Sequence, residues 1–178
     1  FVIEPTRVTE TNARFVSALA ELARVSNDQA ILDRARKAMR NLKERHYSDA
    51  NGLMRIPAAE DWRGVSARGR DYATLLSALF DLYRLDLDPA HLVWAEQVAR
   101  EALVQLRGAD DLLRETPAND RIQPLPLHNT AMIFGLSTWG TVFGPLERLT
   151  QLTGDEEFGA AADAILQRLT PALSTQAL

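Results

Sequence analysis

Apolar residues recur every three or four positions along the first quarter of the chain. Phe15, Leu19, Leu22 and Val25 form one such series, and Ile31, Ala35, Ala38, Met39 and Leu42 form another. That spacing is the stripe of a half-buried amphipathic helix. Two helices are therefore expected, joined at Asn27-Asp28, where the aspartate suits a helix N-cap. Sixty positions later the pattern returns: Ala18, Leu19, Leu22, Arg24, Asp28, Leu32 and Ala35 match Ala78, Leu79, Leu82, Arg84, Asp88, Leu92 and Ala95. A third copy sets Leu146, Leu149, Asp155, Ala162 and Leu169 on Leu19, Leu22, Asp28, Ala35 and Leu42. The second turn is Asp88-Pro89, a cap followed by proline at the first helical position. The third is Gly154-Asp155-Glu156-Glu157, a C-terminal glycine, a cap, and acids at the positive end of the next helix.

The expectation is one all-α domain over residues 1–178, with three hairpins at about 9–46, 70–107 and 129–170. Tandem helical hairpins of this kind build an α/α solenoid or an α/α toroid. Three of them make half of a six-hairpin ring, so the chain is expected to be half a toroid, an open arc, or a fragment completed by another copy. Two long connections, residues 46–69 and 107–128, carry the alternating stretches GLMRIP and DLLRET, which suit small β-ribbons at one end of the bundle. Gly135, Gly140, Gly144 and Pro145 predict a kink or break of the fifth helix near residues 140–144. Close packing at the small residues and a re-aimed inner helix lining a cavity are both open.

Composition narrows the functional classes. The 178 residues are 46% hydrophobic and 25% charged, the balance of an ordinary globular domain. Net charge is −4 and no Lys/Arg cluster forms a basic footprint, so nucleic acid is not an expected partner. No apolar run approaches the roughly 20 residues that span a bilayer, so no membrane partner is expected either. The absence of cysteine removes disulfides, thiolate nucleophiles and thiolate zinc sites. No glycine-rich phosphate loop or nucleophile elbow is present, and no cofactor is expected. The chain opens FVIEP without Met or a signal pattern, which suits a processed protein or an excerpt of a longer one; the excerpt is the favoured reading, and a cytoplasmic location is the favoured expectation.

The order NARFVSALAELARVSND, NGLMR, RDYATLLSALFDLYRLDLDP, LLRE and LTGDEEF resembles the later part of a known domain. It is the six-hairpin, glycosidase-like domain of the spermatogenesis-associated, thioredoxin-domain-containing proteins, and the resemblance covers nearly the whole chain. In that family a thioredoxin-like domain precedes an α/α toroid related to sugar epimerases and glycoside hydrolases, with poorly defined activity. Where the family has two acids before Tyr-Ala, this chain has Arg70-Asp71-Tyr72-Ala73. The family's Trp-Asn pair becomes Thr11-Asn12, and its acid with a Pro-Ser-Gly-Asn-Ser turn becomes Asn129 with Gly135 and Ser137 retained.

Candidate chemistry follows from both readings. Glycoside hydrolysis needs two carboxyl groups about 5 to 10 Å apart. Asp71 is one candidate, and the second would come from Glu60, Asp61, Asp110, Asp111, Glu115 or Asp120, none singled out by spacing. Asp71 equally suits a helix start. Of three histidines, His128 beside Asn129 is the acid–base candidate; His46 ends a helix, where a cation is favoured, and His91 is expected to be solvated. No metal site is expected, because the histidines lack ligand spacing with a carboxylate. Trp62 offers a platform for a sugar ring, whereas Trp94 and Trp139 belong to helical apolar faces. Arg55 and Arg114 fall at similar places in the two ribbons and are expected to brace loops against acids. Asn12, Trp62, Tyr72, Asn129 and Ser137 are the expected ligand-binding set.

The leading functional expectation is a non-catalytic carbohydrate-type binding or scaffold module. An active epimerase or glycosidase using Asp71 with a loop acid or His128 is the alternative, and a protein-interaction arc a third. Expected partners are a small carbohydrate and either the rest of a parent protein or a second copy completing the toroid.

Overall fold

The computed structural model describes residues 8–59, 63–108, 113–117 and 138–175. Six helices pair into three hairpins: α1 (Thr9–Ser26) with α2 (Gln29–His46), α3 (Gly69–Asp86) with α4 (Pro89–Leu106), and α5 (Thr138–Thr153) with α6 (Glu156–Thr175). α3 packs between α1 and α5, so the first helices of the hairpins form one layer and each second helix lies behind its own partner. Because every hairpin reverses the chain, the short turns gather at one end and the long connections at the other.

The three turns share one design, in which a left-handed residue ends the first helix and an aspartate caps the second. Asn27 (φ 52°), Leu87 (φ 53°) and Gly154 (φ 74°) hold the left-handed position. Asp28, Asp88 and Asp155 then accept hydrogen bonds from the N–H groups of Ala30, Ala90 and Glu157. Asparagine and glycine tolerate that backbone, but leucine pays a Cβ clash of about 1–2 kcal/mol there. Leu87 is also exposed, so it recovers little by packing. Leu87→Gly is expected to raise stability by about 1 kcal/mol, read as a higher urea midpoint at unchanged slope.

The first long connection folds as expected into a ribbon: β1 (Tyr47–Ser48), β2 (Gly52–Ile56) and β3 (Val65–Ser66) make an antiparallel sheet in that order. In the second connection only the bridge between Arg107 and Leu113 is formed among the described residues. Of the kink or break expected near residues 140–144, the break is not formed. α5 runs from Thr138 to Thr153 as a single element with Pro145 inside it, losing one backbone hydrogen bond without ending the helix.

The face that α1 buries also differs. Phe15, Leu22 and Val25 were the expected inner stripe, yet they are exposed, and the buried face is Thr9, Ala13, Val16, Ala20 and Ala23. Among the described residues α1 has an inner-layer neighbour, α3, on one side only, and small side chains there allow the two helices to approach closely. The core is otherwise carried by α3 and α4, including Leu75, Leu79, Leu82, Trp94 and Val98. No helix among the described residues is long and apolar enough to cross a membrane.

Candidate functional site

Two groups of polar side chains meet at the end where the long connections lie. The first centres on Asp71, the third residue of α3. Its Oδ2 accepts from the Arg68 N–H at 3.0 Å, which caps the first turn of α3, and from Arg55 Nη1 on β2 at 3.0 Å. Its Oδ1 accepts from the Glu10 N–H at the start of α1, again at 3.0 Å. One carboxylate thus ties α1, β2 and α3 together. Asp71 is fully buried, and that burial pushes its carboxyl above the ordinary range against the pull of Arg55 and the two backbone N–H groups. With no exposed surface and both oxygens occupied, it offers a substrate no contact.

Around this brace lie Glu10, which also approaches Arg55 at 3.6 Å, and Glu115. Burial pushes the Glu115 carboxyl up, while the charges of Arg70 and Arg68 pull it back. The Glu115 carbonyl accepts from Gly69 N–H at 2.9 Å, so this connection is pinned to the start of α3. Arg55 braces acids as its place in the ribbon suggested. Asn12 turns back on its own helix, donating from Nδ2 to Val8 O at 2.9 Å. His46 ends α2 as expected, but it is buried and linked to the Thr9 hydroxyl at 2.7 Å. Since that hydroxyl donates to Met54 O, His46 Nδ1 is the donor toward Thr9.

The second group forms a recess of about 530 Å³ lined by Tyr47, Asp49, Asn51, Tyr72, Glu101 and Gln105, among others. Glu101 on α4 is its organiser. Its Oε1 accepts from the Leu53 N–H and from the buried Tyr72 hydroxyl, each at 2.7 Å. Burial, then the Glu101 charge, drives the Tyr72 phenol far above its ordinary value, so it stays a donor. Burial and the charges of Glu101 and Asp49 raise Tyr47 as well. Residue 52 must be glycine: its φ is +66°, and a Cβ there would lie 2.4 Å from Glu101 Oε1. Glu101 Oε2, Asp49 and Gln105 carry no hydrogen-bond or ion-pair partner among the described residues, which leaves acceptors and an amide facing the recess unspent.

The structure brings Tyr72 to this recess, although by a shielded hydroxyl, and keeps Asp71 and Asn12 in the brace beside it. Trp62, His128, Asn129 and Ser137 lie outside the described residues, as does the side chain of Trp139. Glu101 was not anticipated. Its one sequence signal is a charge three residues after Val98 and seven after Trp94, on a stripe that is otherwise buried.

A smaller recess of about 260 Å³ between α2 and α4 is lined by Arg36, Arg40, Lys43, His91 and Trp94. His91, expected to be solvated, is largely buried there with Nε2 3.3 Å from Asp86, which also receives Arg36 at 2.9 Å. Burial raises the Asp86 carboxyl, but the Asp88 N–H, Arg36 and His91 outweigh it and hold it below the ordinary range. Among the described residues no cluster of three metal-ligating side chains occurs.

No family model matches the chain, and no curated protein matches it. Solved structures do. The cellobiose 2-epimerase of Spirochaeta thermophila aligns with a TM-score of 0.71 at 19% identity, covering 96% of this chain and 45% of its own. A GH76 α-mannanase of Bacteroides thetaiotaomicron aligns at 0.70 with 16% identity, covering 93% and 45%. A GH76 α-1,6-mannanase of Salegentibacter, inactivated by replacing two adjacent aspartates and solved with α-1,6-mannotetrose, aligns at 0.64 with 19% identity, covering 87% and 44%. The fold is therefore that of the six-hairpin α/α toroids, and the chain spans less than half the length of these structures.

Proposed function

We propose that this chain is a carbohydrate-binding module built on the toroid fold and lacking a working pair of catalytic carboxylates. One observation carries the reading: the recess at the long-connection end, where Asp49, Gln105 and Glu101 Oε2 have no hydrogen-bond or ion-pair partner among the described residues and lie with Asn51 and Tyr47 in one lining. Paired acceptors, an amide and an aromatic ring are the complement of a sugar's vicinal hydroxyls and C–H face, and the volume suits one or two hexose units. The matched mannanase holds a mannose oligosaccharide, which makes α-mannosides the first ligands to try. Hydrolysis is disfavoured because Asp71 is buried and Arg70 stands where the resembled family carries its second acid. The motif order, with NGLMR and RDYATLLSALFDLYRLDLDP, supports reading the chain as the toroid portion of a thioredoxin-domain-containing protein.

A ligand that binds only the folded chain raises its melting temperature. Mannose oligosaccharides are expected to do so for the native protein and not for a variant carrying Asn51→Ala and Gln105→Ala, both at exposed positions. Absence of any shift in the native protein would remove this reading.

One observation favours an enzyme instead. Glu115 has its carboxyl raised by burial, and its Oε2 is buried with no hydrogen-bond partner among the described residues, which suits a general acid. Turnover of a mannoside or a mannose epimer by the native chain, abolished in Glu115→Gln, would replace the binding reading with this one.

A further inference from the structure

The repeat allows the two grooves between successive second helices to be compared position by position. With offsets of 60 and 67, the faces of α2 and α4 around the smaller recess correspond to faces of α4 and α6. In the groove between α4 and α6, Arg100 is surrounded by carboxylates: Nη2 meets Asp155 at 2.7 Å and Glu96 at 3.5 Å, and Nη1 meets Glu157 at 2.9 Å. Its guanidinium also lies over the Phe158 ring. In the groove between α2 and α4 the equivalent of Arg100 is Arg40, and there Arg36 takes the place of Glu96, Ala90 that of Glu157 and His91 that of Phe158. The surroundings have changed sign. Only Asp88 is kept where α6 has Asp155, and its Oδ1 is spent on the Ala90 N–H. Asp86 is spent as well, on Arg36, His91 and the Asp88 N–H.

Arg40 and Lys43 consequently have no hydrogen-bond or ion-pair partner among the described residues. Arg36, Arg40 and Lys43 follow one another four and three residues apart on α2, a spacing at which like charges repel. The recess beside them, about 260 Å³, is completed by Met39 and Trp94. Trp94 is 2% exposed, Lys43 Nζ lies 5.0 Å from its ring centroid, and its Nε1 N–H has no hydrogen-bond partner among the described residues. A buried donor of this kind calls for an acceptor. We propose that the recess binds a small phosphate monoester, with the phosphate between Arg40 and Lys43 and the organic part against Met39 and Trp94. A phosphate monoester carries about −1.5 to −2 charges near pH 7, which matches two uncommitted cations. Arginine offers it the same forked donors that Arg100 offers Asp155 and Glu157 in the second groove. The volume falls just below the usual range of ligand pockets, which suits a compact ligand. The site shares no lining residue with the Glu101 recess.

Calorimetric titration of phenyl phosphate into the native protein at low ionic strength tests the proposal. The expected result is saturable binding that weakens as salt is added, falls about tenfold or more in Arg40→Ala and in Lys43→Ala, and exceeds the binding of benzoate, which carries a single charge. Arg34→Ala, an exposed cation of α2 outside the recess, is expected to leave the affinity unchanged. Ala90→Glu places a carboxylate where Glu157 faces Arg100 in the second groove. It is expected to occupy Arg40 from within the chain and lower the affinity about tenfold or more. Circular dichroism should show native helix content in all four variants, since each substituted position is exposed. Absence of saturable binding by the native protein, or undiminished binding in Arg40→Ala or in Ala90→Glu, would overturn the proposal. Equal loss in Arg34→Ala would reduce it to diffuse attraction by a basic helix, and tighter binding of benzoate would overturn the choice of phosphate.

Discussion

Asp71→Ala is expected to lower the unfolding free energy by about 3–5 kcal/mol, the cost of leaving a partly buried guanidinium and two backbone N–H groups without their shared acceptor. The groups left behind are Arg55, the Glu10 N–H and the Arg68 N–H, from three different elements. Asp71→Asn keeps an acceptor oxygen at the site and should cost less, about 1–2 kcal/mol. The pH dependence distinguishes this brace from an ordinary surface cap. Because burial raises the folded carboxyl above 3.8, the folded chain holds a proton over a window in which the unfolded chain has released it. Stability then falls as pH rises from 3.8 through the raised folded value, and the Ala variant should lack that slope. Chemical denaturation at several pH values measures both effects. A loss below about 1 kcal/mol with an unchanged pH profile would mean that the three elements are held by other contacts.

Glu101 is expected to matter nearly as much, and its effect has a partner. Glu101→Ala strands the buried Tyr72 hydroxyl and the Leu53 N–H, at about 1–3 kcal/mol each, so a loss of about 2–6 kcal/mol is expected. Gly52→Ala forces a Cβ to 2.4 Å from Glu101 Oε1 and places alanine at φ +66°. Two costs combine there, and only one belongs to Glu101. In the Glu101→Ala background the clash disappears while the backbone strain of about 1–2 kcal/mol persists. Gly52→Ala should therefore be less damaging in the double variant than alone, with a coupling of about 1 kcal/mol or more in a double-mutant cycle. Strict additivity would show that Glu101 does not approach the turn as described.

The hairpins were legible because helix period and turn chemistry are local. Asp28, Asp88 and Asp155 announce three helix starts, and each caps one. Periodicity on α1 identified residues suited to burial but could not tell whether a neighbour was present, and Phe15, Leu22 and Val25 consequently face outward. The site was less legible for a related reason. Asp71 stood out as a helix-start acid, but Glu10 and Arg55, which occupy its oxygens, are 61 and 16 residues away. His46 looked like a cation at a helix terminus, and its Thr9 partner lies 37 residues earlier. Glu101 was passed over because the groups it organises, Leu53 and Tyr72, are 48 and 29 residues distant. Only folding brings these charges to their partners, and pairing decides whether a carboxylate braces a backbone or faces a ligand.

If the chain binds a sugar as proposed, the Glu101 recess, and not the Asp71 brace, receives it. Calorimetric titration of an α-mannose oligosaccharide into the native protein, Gln105→Ala and Glu115→Gln tests it most directly. The expected result is saturable binding by the native chain, about tenfold weaker in Gln105→Ala and unchanged in Glu115→Gln. Binding that survives Gln105→Ala and is lost in Glu115→Gln would contradict the claim and move the site to the cluster around Asp71.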